Sequence, residues 1–196
     1  MHDRIAVIIT SINKLNRNIQ NLSSNSKKKN WSFIIIGDKK SPKNFSLKYG
    51  KYYNIRDQKK TNINFAKICP LDSYARKNIG YLLAIKNNTD VIIETDDDNY
   101  PKKNFFTTPK LIHKVSEIMN KNWVNIYDLF LKEKKFIWPR GLPLNFVKKN
   151  KIRLTKKKKL QKFYLQQGVC DINPDVDAIY RLINEKINIK FKNNFF

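Results

Sequence analysis

The chain is poor in cysteine, histidine and acid, and it has no long apolar run. Its 196 residues include two cysteines, two histidines and 16 aspartates plus glutamates, set against 40 lysines plus arginines. Cys69 and Cys170 are too few for a disulfide framework and lack the CxxC spacing of structural zinc. Both read as small buried side chains in a reducing compartment, so the expected localisation is cytoplasmic. His113 has no partner at metal-ligand spacing and reads as a surface histidine on a helix. The apolar stretch of Ile5, Ala6, Val7, Ile8 and Ile9 is far short of the ~20 residues that span a bilayer, and only four residues precede it. Neither a leader nor a membrane span is expected.

What is abundant is positive charge, with a formal net value of +24 and a pI near 10.0. Such a balance ordinarily suggests nucleic acid or an anionic membrane surface. Here the lysines are spread through every region together with many asparagines and isoleucines, which fits a coding bias toward A/T-rich codons better than a binding stripe. The densest run includes Lys148, Lys149, Lys151 and the four lysines 156–159, without the interleaved aromatics of a single-strand-binding groove. It reads as a solvated loop or helix face. Nucleic acid is therefore disfavoured as a partner, and peripheral contact with an anionic membrane is left as an alternative.

The hydrophobic fraction of 41% suits a folded chain, expected as one α/β domain over residues 1–196. Residues 5–9 and 33–36 are short continuous apolar runs, the pattern of strands buried on both faces of a parallel sheet, and Val91, Ile92 and Ile93 make a third. Ile12, Leu15, Ile19 and Leu22 recur at helical spacing between the first two runs, and the serine and lysine cluster over 23–29 then reads as a loop. Ala75, Ile79, Leu82 and Leu83 predict a helix over 72–86, with Asp72 or Ser73 as N-cap. Leu111, Ile112, Val115, Ile118 and Met119 predict another after Pro109, and 123–131 reads as a strand. Asn173 and Pro174 look like N-cap and N1 of a last helix that buries Val176, Ile179, Tyr180, Ile183 and Ile187.

The candidate chemistry lies at a strand tip. Glu94-Thr95-Asp96-Asp97-Asp98-Asn99 follows the third apolar run directly, and three adjacent carboxylates repel unless a cation sits among them. A hard divalent ion wants such oxygens, so Mn²⁺ or Mg²⁺ is expected at or near residue 98. An apolar strand, an acidic D-x-D tip and then a proline is the layout of metal-dependent nucleotide-sugar transferases; an Asx-rich turn satisfying its own backbone is the plain alternative. In open sheets, ligands bind beyond the carboxyl ends of strands, which puts Gly37-Asp38 and Asp96 to Asn99 on one crevice.

Several separate stretches, in order, resemble the STELLO-type glycosyltransferases, and more faintly the reversibly glycosylated polypeptides that act as UDP-arabinopyranose mutases. They are Ile36-Gly37-Asp38-Lys39, the segment 70–81 (PLDSYARKNIGY), the acidic cluster, Trp138-Pro139-Arg140-Gly141 with Pro143 and Leu144, and 174–182 (PDVDAIYRL). The resemblance runs from about residue 33 to 182 and implies a GT-A fold, Rossmann-like, with a mainly parallel sheet flanked by helices. It also implies a nucleotide diphosphate sugar donor, expected to be a UDP-sugar, and a glycan or other acceptor. Carried over by position, Asp38 would contact the nucleoside, Arg76 and Lys77 would face the diphosphate, and Asp96 and Asp98 would be the metal pair.

Each of these residues also has a plainer reading. Asp38 could cap a turn, and Arg76 could pair with Asp72 on one helix face. Asp97 is taken as the outward-facing neighbour and Glu94 as a strand residue. Trp138 and Arg140 would help hold a sugar or phosphate, or simply form a tight turn over a buried tryptophan. Asp175 and Asp177 could supply a general base or a further metal ligand, although acids are favoured in a first helical turn anyway. Asp171 competes for that base role. Family members usually continue beyond the last helix, so the chain is expected to be a fragment or truncated member, with a strand cut short around 189–196.

The leading expectation is thus a metal-dependent glycosyltransferase. The rivals are a Mg²⁺-dependent nucleic-acid enzyme or binder and a non-catalytic GT-A-like interaction module.

Overall fold

The apolar runs of the N-terminal half do become parallel strands. In the computed structural model, which describes residues 3–102, 104–133, 135–148, 151–184 and 187–192, β1 is Ile5–Thr10, β2 Ser32–Ile36 and β4 Val91–Glu94. A short β3, Lys51–Tyr53, which three residues with little apolar content do not announce, joins β2 at the sheet edge. The order is β3-β2-β1-β4, and every pairing is parallel. The described chain divides after Thr108 into two compact units, each described by itself.

Unit 1 packs helices on both faces of its sheet. Alternate strand residues choose the face. Ala6, Ile8, Ile34 and Ile36 meet Ile79, Leu83 and Ala84 of α4, Lys77–Lys86. Ile5, Val7, Ile9, Phe33 and Ile35 meet Ile19 and Leu22 of α1, Arg17–Lys29, together with Trp31. Helix α4 lies close because Gly80 has no side chain: a Cβ there would stand 2.6 Å from Ile8 Cγ2. Two five-residue helices, α2 (Ile55–Lys59) and α3 (Asn64–Ile68), and a 3₁₀ turn at Tyr74–Arg76 lead into α4. The result is an α/β fold with a mainly parallel sheet, consistent with a Rossmann-like GT-A arrangement.

Two expectations change in this unit. The serine and lysine cluster is the second half of α1 rather than a loop. Ser23 and Ser26 are buried, Ser23 Oγ donates to the Tyr49 carbonyl at 2.6 Å, and Lys27, Lys28 and Lys29 occupy the last turn, where cations suit the helix dipole. The helix starts later than the apolar spacing suggests, capped by Asn16, whose side chain accepts from Ile19 N at 2.8 Å, and Ile12 lies outside it, exposed. Ser73, not Asp72, caps the 3₁₀ turn before α4.

Unit 2 has little regular structure. Its core is Tyr127, Leu131, Ile137, Trp138, Leu142, Val176, Tyr180, Ile189 and Phe191. The segment after Pro109 is not a helix: Ile112–Val115 is β5, antiparallel to β6, Lys159–Lys162. Apolar residues spaced over so short a stretch fit either period. His113 therefore sits on a strand, with Nε2 2.7 Å from the Lys110 carbonyl. The segment expected as a strand holds instead a one-turn helix, α5, Tyr127–Phe130. Helix α6 is only Ala178–Ile183, because Val176 is tied in an extended bridge to Pro139; Asp177 is its N-cap, accepting from Ile179 N at 2.9 Å. Val176 and Tyr180 are buried, whereas Ile179 and Ile183 are exposed.

Cys69 is buried as expected, but Cys170 is exposed. The end of the lysine run forms β6, exposed throughout; residues 149 and 150 lie outside the described residues. So do 193–196 of the expected terminal strand, while Phe191 bridges to Leu131 and Ile189 to Ile172. Among the described residues, no helix is long and apolar enough to cross a membrane.

Candidate functional site

In unit 1 the chain reverses its direction of travel across the sheet between β1 and β4, which are neighbours although β2 and β3 intervene in sequence. That is a topological switch point, where the loops beyond two carboxyl ends splay apart and leave a crevice. Ser11 and the acidic tip stand there.

The tip is braced from the β1–α1 loop and the first turn of α1. Asp97 faces inward, contrary to expectation: its Oδ2 accepts from the Ser11 hydroxyl and from Asn13 Nδ2 at 2.9 Å. Asn16 Nδ2 donates to the Asp97 carbonyl at 3.0 Å. The fully buried Asn18 donates to the carbonyls of Asp97 at 3.2 Å and Asn99 at 3.0 Å. With Asp97 turned in, Asp96 and Asp98 are left exposed on either side of it.

A lysine supplies the cation that the carboxylates call for. Lys77, the first residue of α4, reaches Asp96 Oδ1 at 2.7 Å and Glu94 Oε1 at 2.9 Å, with its side chain only 11% exposed. Burial alone would lower its pKa, but the hydrogen bonds to Asp96 and Glu94 raise it overall and keep it charged. The Tyr81 hydroxyl also donates to Glu94, and burial followed by that carboxylate pushes the phenol well above its ordinary pKa. Asp98 has no such partner among the described residues.

Asp38 and Arg76 form a second, deeper cluster at the end of β2. Asp38 accepts from the backbone N–H of both Asp72 and Ser73 at 3.1 Å, which ties the 72–73 turn to the strand end. Arg76 is 2% exposed and turns inward. Its Nη1 donates to the carbonyls of Cys69 at 3.1 Å and Pro70 at 3.2 Å, Nη2 donates to Gln58 Oε1, and Nε lies 3.8 Å from Asp38 Oδ1. Gln58, buried, donates in turn to the carbonyls of Gly37 and Tyr53, both at 2.7 Å. As placed, Arg76 orders the loop, and its carboxylate partner is Asp38, not Asp72.

The remaining candidates belong to unit 2. Arg140 Nη2 pairs with Asp175 Oδ1 at 2.9 Å, both largely exposed. The Asp175 carbonyl accepts from Arg140 N and from the Tyr127 hydroxyl. Trp138 is a core residue, edge-on to Tyr180 with ring centroids 5.0 Å apart. Asp171 Oδ1 accepts from Phe191 N at 2.9 Å, and Asp177 caps α6. Of the three acids, Asp175 is the one whose carboxylate caps no backbone N–H among the described residues.

Reasoning from sequence missed Ser11, Asn13, Asn16, Asn18 and Gln58. Polar residues immediately after a buried strand were the available signal for the first two. In a chain this rich in asparagine, the others do not stand out.

Against known proteins, the chain is 30% identical over 166 residues to Probable glycosyltransferase STELLO2 of Arabidopsis thaliana, covering 78% of this chain and 21% of that protein. It is 29% identical over 175 residues to Probable glycosyltransferase STELLO1 of the same plant, covering 82% and 22%. The chain is a relative of the STELLO proteins. It spans about a fifth of the length of these STELLO relatives, and the aligned part takes in most of this chain. No family model matches it.

For a divalent ion, the donor chemistry on this tip is sparse but suitable. Among the described residues, no three His, Cys, Asp or Glu side chains gather as a metal cage. A magnesium-like ion needs only one or two carboxylates when phosphate and water complete its shell. Asp98 fits such a site, with Asp96 beside it.

Proposed function

We propose that unit 1 binds a nucleotide diphosphate sugar, a UDP-sugar first among them, with Mn²⁺ or Mg²⁺, and that the chain serves glycosyl transfer as its relatives' names suggest. The observation that supports this most is the acidic tip at the switch point between β1 and β4, held in shape by three side chains of the β1–α1 loop and by Asn18 in the first turn of α1. When bound, the ion would neutralise charge on the departing nucleoside diphosphate.

The chain's own groups do the positioning. Asn16 and Asn18 fix the backbone of the tip, so that Asp98 meets a ligand without a large ordering cost. Lys77 holds Asp96 and Glu94 in place. Asp38 and Arg76 hold the 69–73 loop against the end of β2, which shapes the neighbouring rim where a nucleoside would lie.

Calorimetry with UDP, with and without Mn²⁺, tests the reading. Mn²⁺-dependent binding that Asp98→Asn removes is expected; UDP binding indifferent to both chelator and Asp98→Asn would overturn the metal assignment.

A further inference from the structure

Resting on that reading of the tip, we propose that Lys77 is a built-in counter-cation, so that a divalent ion leans on Asp98 rather than Asp96 and enters together with the diphosphate rather than ahead of it. The ammonium has three hydrogens, and three acceptors surround it: Asp96 Oδ1 at 2.7 Å, Glu94 Oε1 at 2.9 Å and the Thr95 carbonyl at 3.4 Å. It is not a loose surface lysine. Its stem is largely buried at the start of α4, whose Ile79 and Leu83 pack on β1 and β2 and whose Gly80 lies against Ile8.

The consequence is electrostatic. A dication brought to Asp96 would stand beside the ammonium and compete with it for the same carboxylate. A nucleoside diphosphate changes that balance, because its oxygens supply the ion's other ligands and its negative charge offsets the crowding of cations. The tip therefore has two cation positions of different kinds: a permanent one filled by Lys77 on Asp96 and Glu94, and an exchangeable one at Asp98. The ammonium also stays with its two carboxylates when the ion leaves, which keeps the tip from repelling itself apart.

Electron paramagnetic resonance of free Mn²⁺ reads the binding directly in the whole chain. Without nucleotide, the unaltered chain should bind Mn²⁺ weakly, Lys77→Met should bind it at least about tenfold more tightly, and Lys77→Arg should resemble the unaltered chain. With UDP present, Asp96→Asn should leave Mn²⁺ affinity within about threefold, whereas Asp98→Asn should lose it. Equal Mn²⁺ affinity of the unaltered and Lys77→Met chains, or Asp96→Asn as damaging as Asp98→Asn, overturns the proposal. If Lys77→Met does not fold by circular dichroism, the contrast between the two aspartate variants decides alone. Failure of UDP to bind the unaltered chain overturns the proposed function instead, and the nucleotide-free comparison still decides the role of Lys77.

Discussion

Unit 1 and unit 2 are held together by different means. In unit 1, four parallel strands place alternate residues into two apolar layers, and the helices covering them bury nearly all of β1 and β2. In unit 2 the only two-stranded sheet among the described residues has one strand exposed along its whole length. Its core is a cluster of aromatics and aliphatics joined by single bridges such as Pro139 to Val176 and Leu131 to Phe191. The difference shows where polar side chains matter. A layered core leaves strand ends free to carry a braced polar site, whereas in unit 2 the polar groups of Asp171, Asp177 and Tyr127 are used to hold the backbone.

The sharpest way to break this comparison is to remove Asp38. That would leave the buried Arg76 guanidinium without its carboxylate and two loop amides without an acceptor. Asp38→Ala should cost unit 1 about 3–5 kcal/mol in urea, read by the fluorescence of buried Trp31. A loss well under that would mean the clamp is not what orders the rim.

Gly80→Val comes next. Its side chain would collide with Ile8 and press on Ile36, 3.2 Å from the position of a Cβ, at a cost of about 1–3 kcal/mol by the same readout. If it is tolerated, α4 is less closely seated on the sheet than described.

For unit 2, Tyr127 offers a smaller and pH-dependent test. Burial, followed by the charge of Asp175, pushes its phenol up to about 12. Because the folded value lies above the unfolded value of about 10, the stabilisation is complete below about pH 10 and fades as pH rises through about 12. Alkaline unfolding followed at Trp138 should show that window, and Tyr127→Phe should abolish it while losing about 1 kcal/mol at neutral pH with the hydrogen bond to the Asp175 carbonyl. The smallest effect is expected at Arg140→Ala. Its ion pair with Asp175 is mostly in water, so the change should stay below about 1 kcal/mol and shrink with salt. A larger loss would place Arg140 in the unit's core energetics.

Much of unit 1 was legible in the amino-acid order because its strands are unbroken apolar runs ended by polar residues. β1, β2 and β4 follow from that pattern, and so does α4 from Ile79 and Leu83 at helical spacing. The second half of α1 was hidden because serines and lysines carry no apolar stripe; only the burial of Ser23 and Ser26, with Ser23 bonded to the Tyr49 carbonyl, shows that this turn has an inner face. In unit 2, stretches of four to six residues fit strand or helix equally well, and tertiary pairing settled the choice at β5 and α5. The enclosure of Arg76 was not legible, because nothing nearby in sequence announces that Gln58 and the Cys69 and Pro70 carbonyls will surround it.

The acidic tip divides along the same line. Sequence alone determined that three carboxylates follow an apolar strand, since an apolar run followed by Glu94 and Asp96 to Asp98 is a local pattern. Tertiary structure alone decided their separate fates. Asp97 turns inward to Ser11 and Asn13, more than eighty residues away in the chain, and Asp96 is neutralised by Lys77 from a neighbouring helix, which leaves Asp98 exposed. Adjacent residues of one chemical type carry no mark of which partner the fold will bring to them. Partner choice is set by which strand ends and helix starts the sheet order makes into neighbours.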